Sequence, residues 1–183
     1  MTPGKSGNIS TKISYKNRNN ILITPSGVSL KHINLKNVIV VDEEGNKLEG
    51  HGKPSSELFM HLEIYKKRVE VNGIVHTHSP YATGFSFSGE KIPHLEGFGK
   101  IKNPNLNEVD YAQPGSMELA KIVSNSLEKE DMLILKNHGV IAIGIDLDEA
   151  AILAEFVESS AKTSFVARIL SREPILTHLM HSR

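Results

Sequence analysis

The sequence contains no cysteine, so neither a disulfide framework nor a thiolate metal site can be built from it, and a reducing compartment fits. It has no surplus of either charge: Lys plus Arg and Asp plus Glu each number 21, giving zero formal net charge. Nothing in that balance would recruit a nucleic acid or an anionic membrane. It also lacks a long apolar run. Met1 to Asn20 is polar and has no signal-peptide core, and no later stretch reaches the roughly 20 apolar residues of a membrane span. The expectation is a cytoplasmic protein with neither nucleic acid nor membrane as partner. At 183 residues, a single domain over 1–183 with a real core is expected.

The most informative stretch is Pro54 to Ser79, PSSELFMHLEIYKKRVEVNGIVHTHS. Its end, Gly73-Ile-Val-His-Thr-His78, reads as a strand, and alternation puts His76 and His78 on one face with Cβ atoms about 6–7 Å apart. Its beginning, Pro54-Ser55-Ser56-Glu57, opens an amphipathic run in which Leu58, His61, Leu62 and Tyr65 recur at helical spacing. A serine cap and a first-turn carboxylate suit a helix start, whose free N–H groups attract an anion.

A lone His-X-His is a weak signal, and an acidic residue at a helix start is usually a cap. A third histidine strengthens the case. Leu133 to Leu135 and Val140 to Ile143 read as two apolar strands broken at Asn137-His138-Gly139, which puts His138 in a tight turn. Three neutral imidazoles completed by a carboxylate or water make the open coordination of a catalytic zinc site.

Elsewhere Asn19-Asn20 reads as a turn before the strand Ile21 to Thr24. Pro25-Ser26-Gly27 reads as a hairpin bend, and residues 38–50 as a second hairpin. Pro80 to Phe87 and Met117 to Leu127 read as helices. A third helix runs to about Leu170 behind an Asp146/Glu149 capping box. Ser88 to Ala112, with its repeated Gly, Pro and Asn, reads as loop-rich. Strands and helices interleave without a strict βαβ rhythm, so the expected fold is α/β: three layers, α/β/α, around a mixed, mostly antiparallel sheet.

Taken together and in order, GNIS, TPSG, PSSE, HTHS and KNHG resemble the class II sugar-phosphate aldolases, the family of L-fuculose-1-phosphate aldolase and ribulose-5-phosphate 4-epimerase. The resemblance implies the same fold, a homotetramer, and one Zn2+ per subunit on His76, His78, His138 and Glu57. It implies a ketose phosphate held by Gly7, Asn8, Ser26, Gly27, Ser55 and Ser56. Apart from nearby Lys5 and Lys53, the motifs on the phosphate side, GNIS, TPSG and PSSE, bring no lysine or arginine, so neutral hydrogen bonds are expected to hold the phosphate. The implied reaction is reversible cleavage to dihydroxyacetone phosphate and an aldehyde through a zinc-stabilised enediolate, with Glu57 as general acid/base. A 4-epimerase or dehydratase on the same scaffold is the alternative, although epimerases resembling this family tend to carry aspartate where Glu57 stands. A non-catalytic, adducin-head-like interaction module is the third reading. Two departures stand out. The chain starts almost at the Gly7-Asn8 loop, where the family has a preceding helix. It also lacks the tyrosine the family takes from a neighbouring subunit, leaving His94, Glu96 or Tyr111 as substitutes.

Overall fold

The structure, a computed structural model, describes residues 4–15, 18–95 and 103–172. Its strands β1 (Asn8–Tyr15), β2 (Arg18–Ile23), β3 (Ile39–Val41), β4 (Lys47–Glu49), β5 (Gly73–Thr77), β6 (Glu108–Val109), β7 (Met132–Leu135) and β8 (Gly139–Gly144) form one sheet in the order β4-β3-β2-β1-β5-β8-β7-β6. Every pairing is antiparallel except β6 with β7. Four helices accompany it: α1 (Leu58–Lys67), α2 (Pro80–Ser88), α3 (Met117–Ser126) and α4 (Leu147–Arg172).

The period-two alternation of the central strands builds two cores. Ile74, Leu133, Leu135, Ile141 and Ile143 face α1 and α3, where they join Leu62, Ile64, Leu119 and Val123. The intervening residues face the other way: Ile134 and Val140 pack with Phe85 of α2 and Val157 of α4, and Val75 and Ala142 pack with Ala150 and Ala154 of α4. The layers are therefore α1 and α3, then the mixed sheet, then α2 and α4, which is the expected α/β/α fold. Among the described residues, no helix is long and apolar enough to cross a membrane.

Three local expectations are corrected. Asn19 and Asn20 lie inside β2, paired with Ser14 and Ile13; their turn propensity yields to the ladder that Ile21 and Ile23 anchor in the core. Pro25-Ser26-Gly27 does not close a hairpin. Pro25 bridges Pro54, the Ser26 amide donates to the Lys53 carbonyl and the Ser55 amide to the Thr24 carbonyl, so the two serine-bearing segments run side by side. A short strand, β6, also interrupts the stretch read as loop.

The remaining termini match their chemistry. Ser116 caps α3 by accepting from the Leu119 amide at 3.1 Å. Asp146 accepts from the Glu149 amide while Glu149 accepts from the Ile145 amide, tying down the start of α4.

Candidate active site

The central strands and α1 bring four side chains to one point. His76 is the penultimate residue of β5, with the same facing as Ile74, so it looks toward the α1 layer, and His78 follows just past the strand end. His138 comes from the β7–β8 turn, where Asn137 adopts φ 56° and Gly139 admits no side chain, because a Cβ there would collide with the Thr77 carbonyl. Glu57, rather than the expected serine, occupies the N-cap position of α1, and its side chain makes no cap hydrogen bond, so the carboxylate is left for the site. A carboxylate oxygen of Glu57 and one ring nitrogen from each histidine all lie within 4.8 Å of one another.

Protons are short at this point. His76 Nδ1 lies 2.8 Å from the Val140 carbonyl, to which it can only donate, so in the neutral ring Nε2 carries a lone pair. That Nε2 stands 3.0 Å from His78 Nε2 and 3.0 Å from Glu57 Oε2, and His138 Nε2 stands 3.4 Å from Glu57 Oε1. Such a cluster of acceptors repels itself unless a cation, metal or proton, sits among them. Burial first, then neighbouring imidazole charge, pulls His78 and His138 each down to about 4, so both are neutral ligands near pH 7. Burial alone would raise the Glu57 carboxyl, but His76, His138 and the Asn8 amide outweigh it and hold it well below the usual carboxylate range. The residues therefore fit a divalent metal, and three imidazoles with one carboxylate suit several borderline ions.

Beside this cluster lies a cleft of about 240 Å³. Gly7, Asn8, Ser26, Gly27, Ser55, Ser56, Glu57, His78 and His138 all line it, whereas His76 is fully buried. Lys5, Ser6 and Pro114 line it too. Lys5 thus brings a cationic residue to a wall expected to hold the phosphate by neutral hydrogen bonds.

Two residues have tasks other than those expected. The side chain of Asn8 is engaged on both ends, donating from Nδ2 to Glu57 Oε2 at 3.0 Å and accepting at Oδ1 from His61 Nε2 at 2.6 Å. The amides at the start of α1 are less free than a bare helix start: Glu57 N–H donates to Ser55 Oγ and Leu58 N–H to the Ser55 carbonyl. Ser55 still has its hydroxyl proton to offer. Of the substitutes for the absent tyrosine, Tyr111 and His94 are not among the cleft-lining residues. The His94 ring packs against Phe156 at 5.9 Å, and Glu96 lies outside the described residues.

Residues 1–165 match the family described as the class II aldolase and adducin N-terminal domain. The chain belongs to that family. It is 43% identical over 163 residues to an L-fuculose phosphate aldolase of Methanococcus maripaludis strain C5, covering 89% of this chain and 86% of the relative. It is 37% identical over 169 residues to a 3-oxo-tetronate 4-phosphate decarboxylase of Haemophilus influenzae, covering 90% of this chain and 79% of that one. A solved L-fuculose 1-phosphate aldolase superposes with a TM-score of 0.82 at 32% identity, covering 95% of this chain and 81% of its own. This family member is a lyase with a site fit for a divalent metal.

Proposed function

We propose that the chain is a zinc-dependent aldolase that reversibly cleaves a ketose phosphate of the L-fuculose-1-phosphate type into dihydroxyacetone phosphate and an aldehyde. The observation that carries this reading is the convergence of Glu57, His76, His78 and His138 on one point at the wall of a cleft whose other lining is Lys5, Asn8, two prolines, glycines and serines. The donor set matches a metal that activates a carbonyl, and the lining matches a phosphate.

When bound, the metal supplies Lewis acidity toward the ketose carbonyl. The protein's own residues do the rest. Gly7, Ser26, Gly27, Ser55 and Ser56, with Lys5 beside them, hold the phosphate and so fix the reacting carbons by binding energy remote from them. Breaking the bond between carbons 3 and 4 passes the carbon 4 hydroxyl proton to solvent water in the cleft, from which the Glu57 carboxylate takes up a proton, and leaves an electron pair on carbon 3. Glu57 delivers a proton to that carbon, and in the condensation direction removes it.

The decarboxylase relative favours one competing reading, since loss of carbon dioxide from a 3-oxo acid phosphate leaves the same kind of electron pair on carbon. A metal-loaded sample offered pentulose and deoxyhexulose 1- and 5-phosphates should release dihydroxyacetone phosphate from a 1-phosphate. Release of carbon dioxide from 3-oxo-tetronate 4-phosphate, with no dihydroxyacetone phosphate from any ketose 1-phosphate, would replace the aldolase reading with the decarboxylase one. Glu57→Gln should fold, yet lose turnover by a factor of about 10²–10⁴, together with exchange of a dihydroxyacetone phosphate proton with solvent. The four retained donors argue against a purely structural, adducin-like role, and His76→Ala should lower metal content.

A further inference from the structure

Behind Glu57 runs a buried line of polar groups that the reaction as described does not use. From the cleft inward the contacts are Glu57 Oε2 to Asn8 Nδ2 at 3.0 Å, Asn8 Oδ1 to His61 Nε2 at 2.6 Å, His61 Nδ1 to Ser10 Oγ at 2.6 Å, and Ser10 Oγ to the Tyr65 hydroxyl at 2.8 Å. His61 has no exposed surface, and Ser10 has 1%. Two periodicities build the line. Glu57, His61 and Tyr65 are spaced by four along α1, and Asn8 and Ser10 by two along β1, so one helix stripe meets one strand face.

Chemistry fixes the direction of every proton in it. A carboxylate only accepts, so the group Asn8 turns to Glu57 must be its NH2. Asn8 Oδ1 then faces His61 and needs an N–H, which puts the imidazole proton on Nε2. His61 Nδ1 is left as an acceptor for the Ser10 hydroxyl, and Ser10 Oγ in turn accepts from Tyr65. Burial, ahead of the nearby His76, pushes His61 down to about 3, so the ring stays neutral with one donor and one acceptor. The opposite tautomer would turn the Asn8 carbonyl against the carboxylate. The consequence shows at Glu57: Oε2 is held by the amide, whereas Oε1 is buried and has no hydrogen-bond partner.

We propose that His61 is a positioning residue: in its Nε2–H form it locks the Asn8 amide so that NH2 faces Glu57 Oε2, leaving Oε1 as the oxygen that exchanges protons with the substrate. This rests on the reading of Glu57 as proton carrier, and it assigns to α1 and β1 a task beyond packing. An apolar side chain would fill the same volume without requiring polar partners on both sides.

Nitrogen-15 NMR of the zinc-loaded protein near pH 7 tests the tautomer directly, since protonated and bare imidazole nitrogens resonate far apart. A proton on His61 Nε2 and none on Nδ1 is expected; the reverse overturns the proposal. In kinetics, His61→Leu should lower kcat about 10–100-fold, the usual cost of losing a group that orients an active-site ligand. KM should stay within about threefold, and zinc content should be unchanged. His61→Gln keeps an N–H near the Nε2 position and should recover most of the loss. Equal losses in the Leu and Gln variants, or full turnover in a folded Leu variant, would overturn it. Should the Leu variant not fold, the tautomer and the Gln variant decide. Glu57→Gln run alongside separates the two claims: full turnover there sinks the proton-carrier reading, whereas its collapse beside full turnover in a folded His61→Leu, or beside a reversed tautomer, sinks only the role of His61.

Discussion

Lys5 is the one lysine or arginine among the described residues of the cleft wall, and a phosphate bound there as proposed would bring two negative charges to it. A charge-assisted hydrogen bond contributes about 1.5–3 kcal/mol, so Lys5→Met should raise KM for a phosphorylated substrate at least tenfold while kcat changes little. An unchanged KM would place the phosphate elsewhere. His61 leads to a second expectation, about pH. Its value lies at about 3 in the folded protein, against an ordinary 6.5, chiefly through burial. Between those two values the unfolded chain binds a proton that the folded one refuses. The stability of neutral His61 is therefore complete above about pH 6.5 and is lost as pH falls toward 3, by about 1.4 kcal/mol per pH unit at its steepest. Urea midpoints at pH 7 and pH 5 should show the drop, and a folded His61→Gln protein should show a shallower one. The three histidines and Glu57 were readable as a metal set because their motifs declare ligand chemistry at the right spacings. Asn8 was not. The motif marks it as important, but only the fold, which sets Asn8 opposite His76 across β1 and β5 and beside α1, reveals that its amide is occupied by Glu57 and His61.

Among the elements, α2 shows how a site histidine is fixed from a distance. The helix starts two residues after His78, and its Ser79 makes no side-chain cap. Glu158 of α4 does that work instead, accepting from the Tyr81 amide at 3.1 Å and the Ala82 amide at 2.9 Å. Glu158→Ala should cost about 1–3 kcal/mol in urea unfolding and weaken retention of a divalent metal by loosening the strand end that carries His78. Normal stability in that variant would mean water replaces the cap. Helices were the most legible elements, because Pro80, Ser116 and the Asp146/Glu149 pair announce their starts. The strands were less so. Asn19 and Asn20 carry turn chemistry yet sit in β2, and β6 is two residues long, too short for alternation to register. The polar line through α1 was half visible: Glu57, His61 and Tyr65 share a helix stripe, but their partners on β1 are some fifty residues away in sequence.

In the whole molecule, the site gathers chain from residues 5 to 138, which a continuous sheet holds in one frame with an apolar core on each face. That continuity leaves two open margins. One is β6, two residues long and tied down by the Glu108 carboxylate's contact with Lys91. The other is β4, three residues long and exposed throughout, with Lys47 and Glu49 at its ends and an irregular register where it meets β3. A margin so short, charged and kinked offers a poor template for a strand from another molecule. The protein is thereby guarded against growing end to end into fibres at high concentration. Replacing Lys47 and Glu49 together with valine should leave the cleft intact and yet make concentrated solutions scatter light within hours of warming, where the parent stays clear.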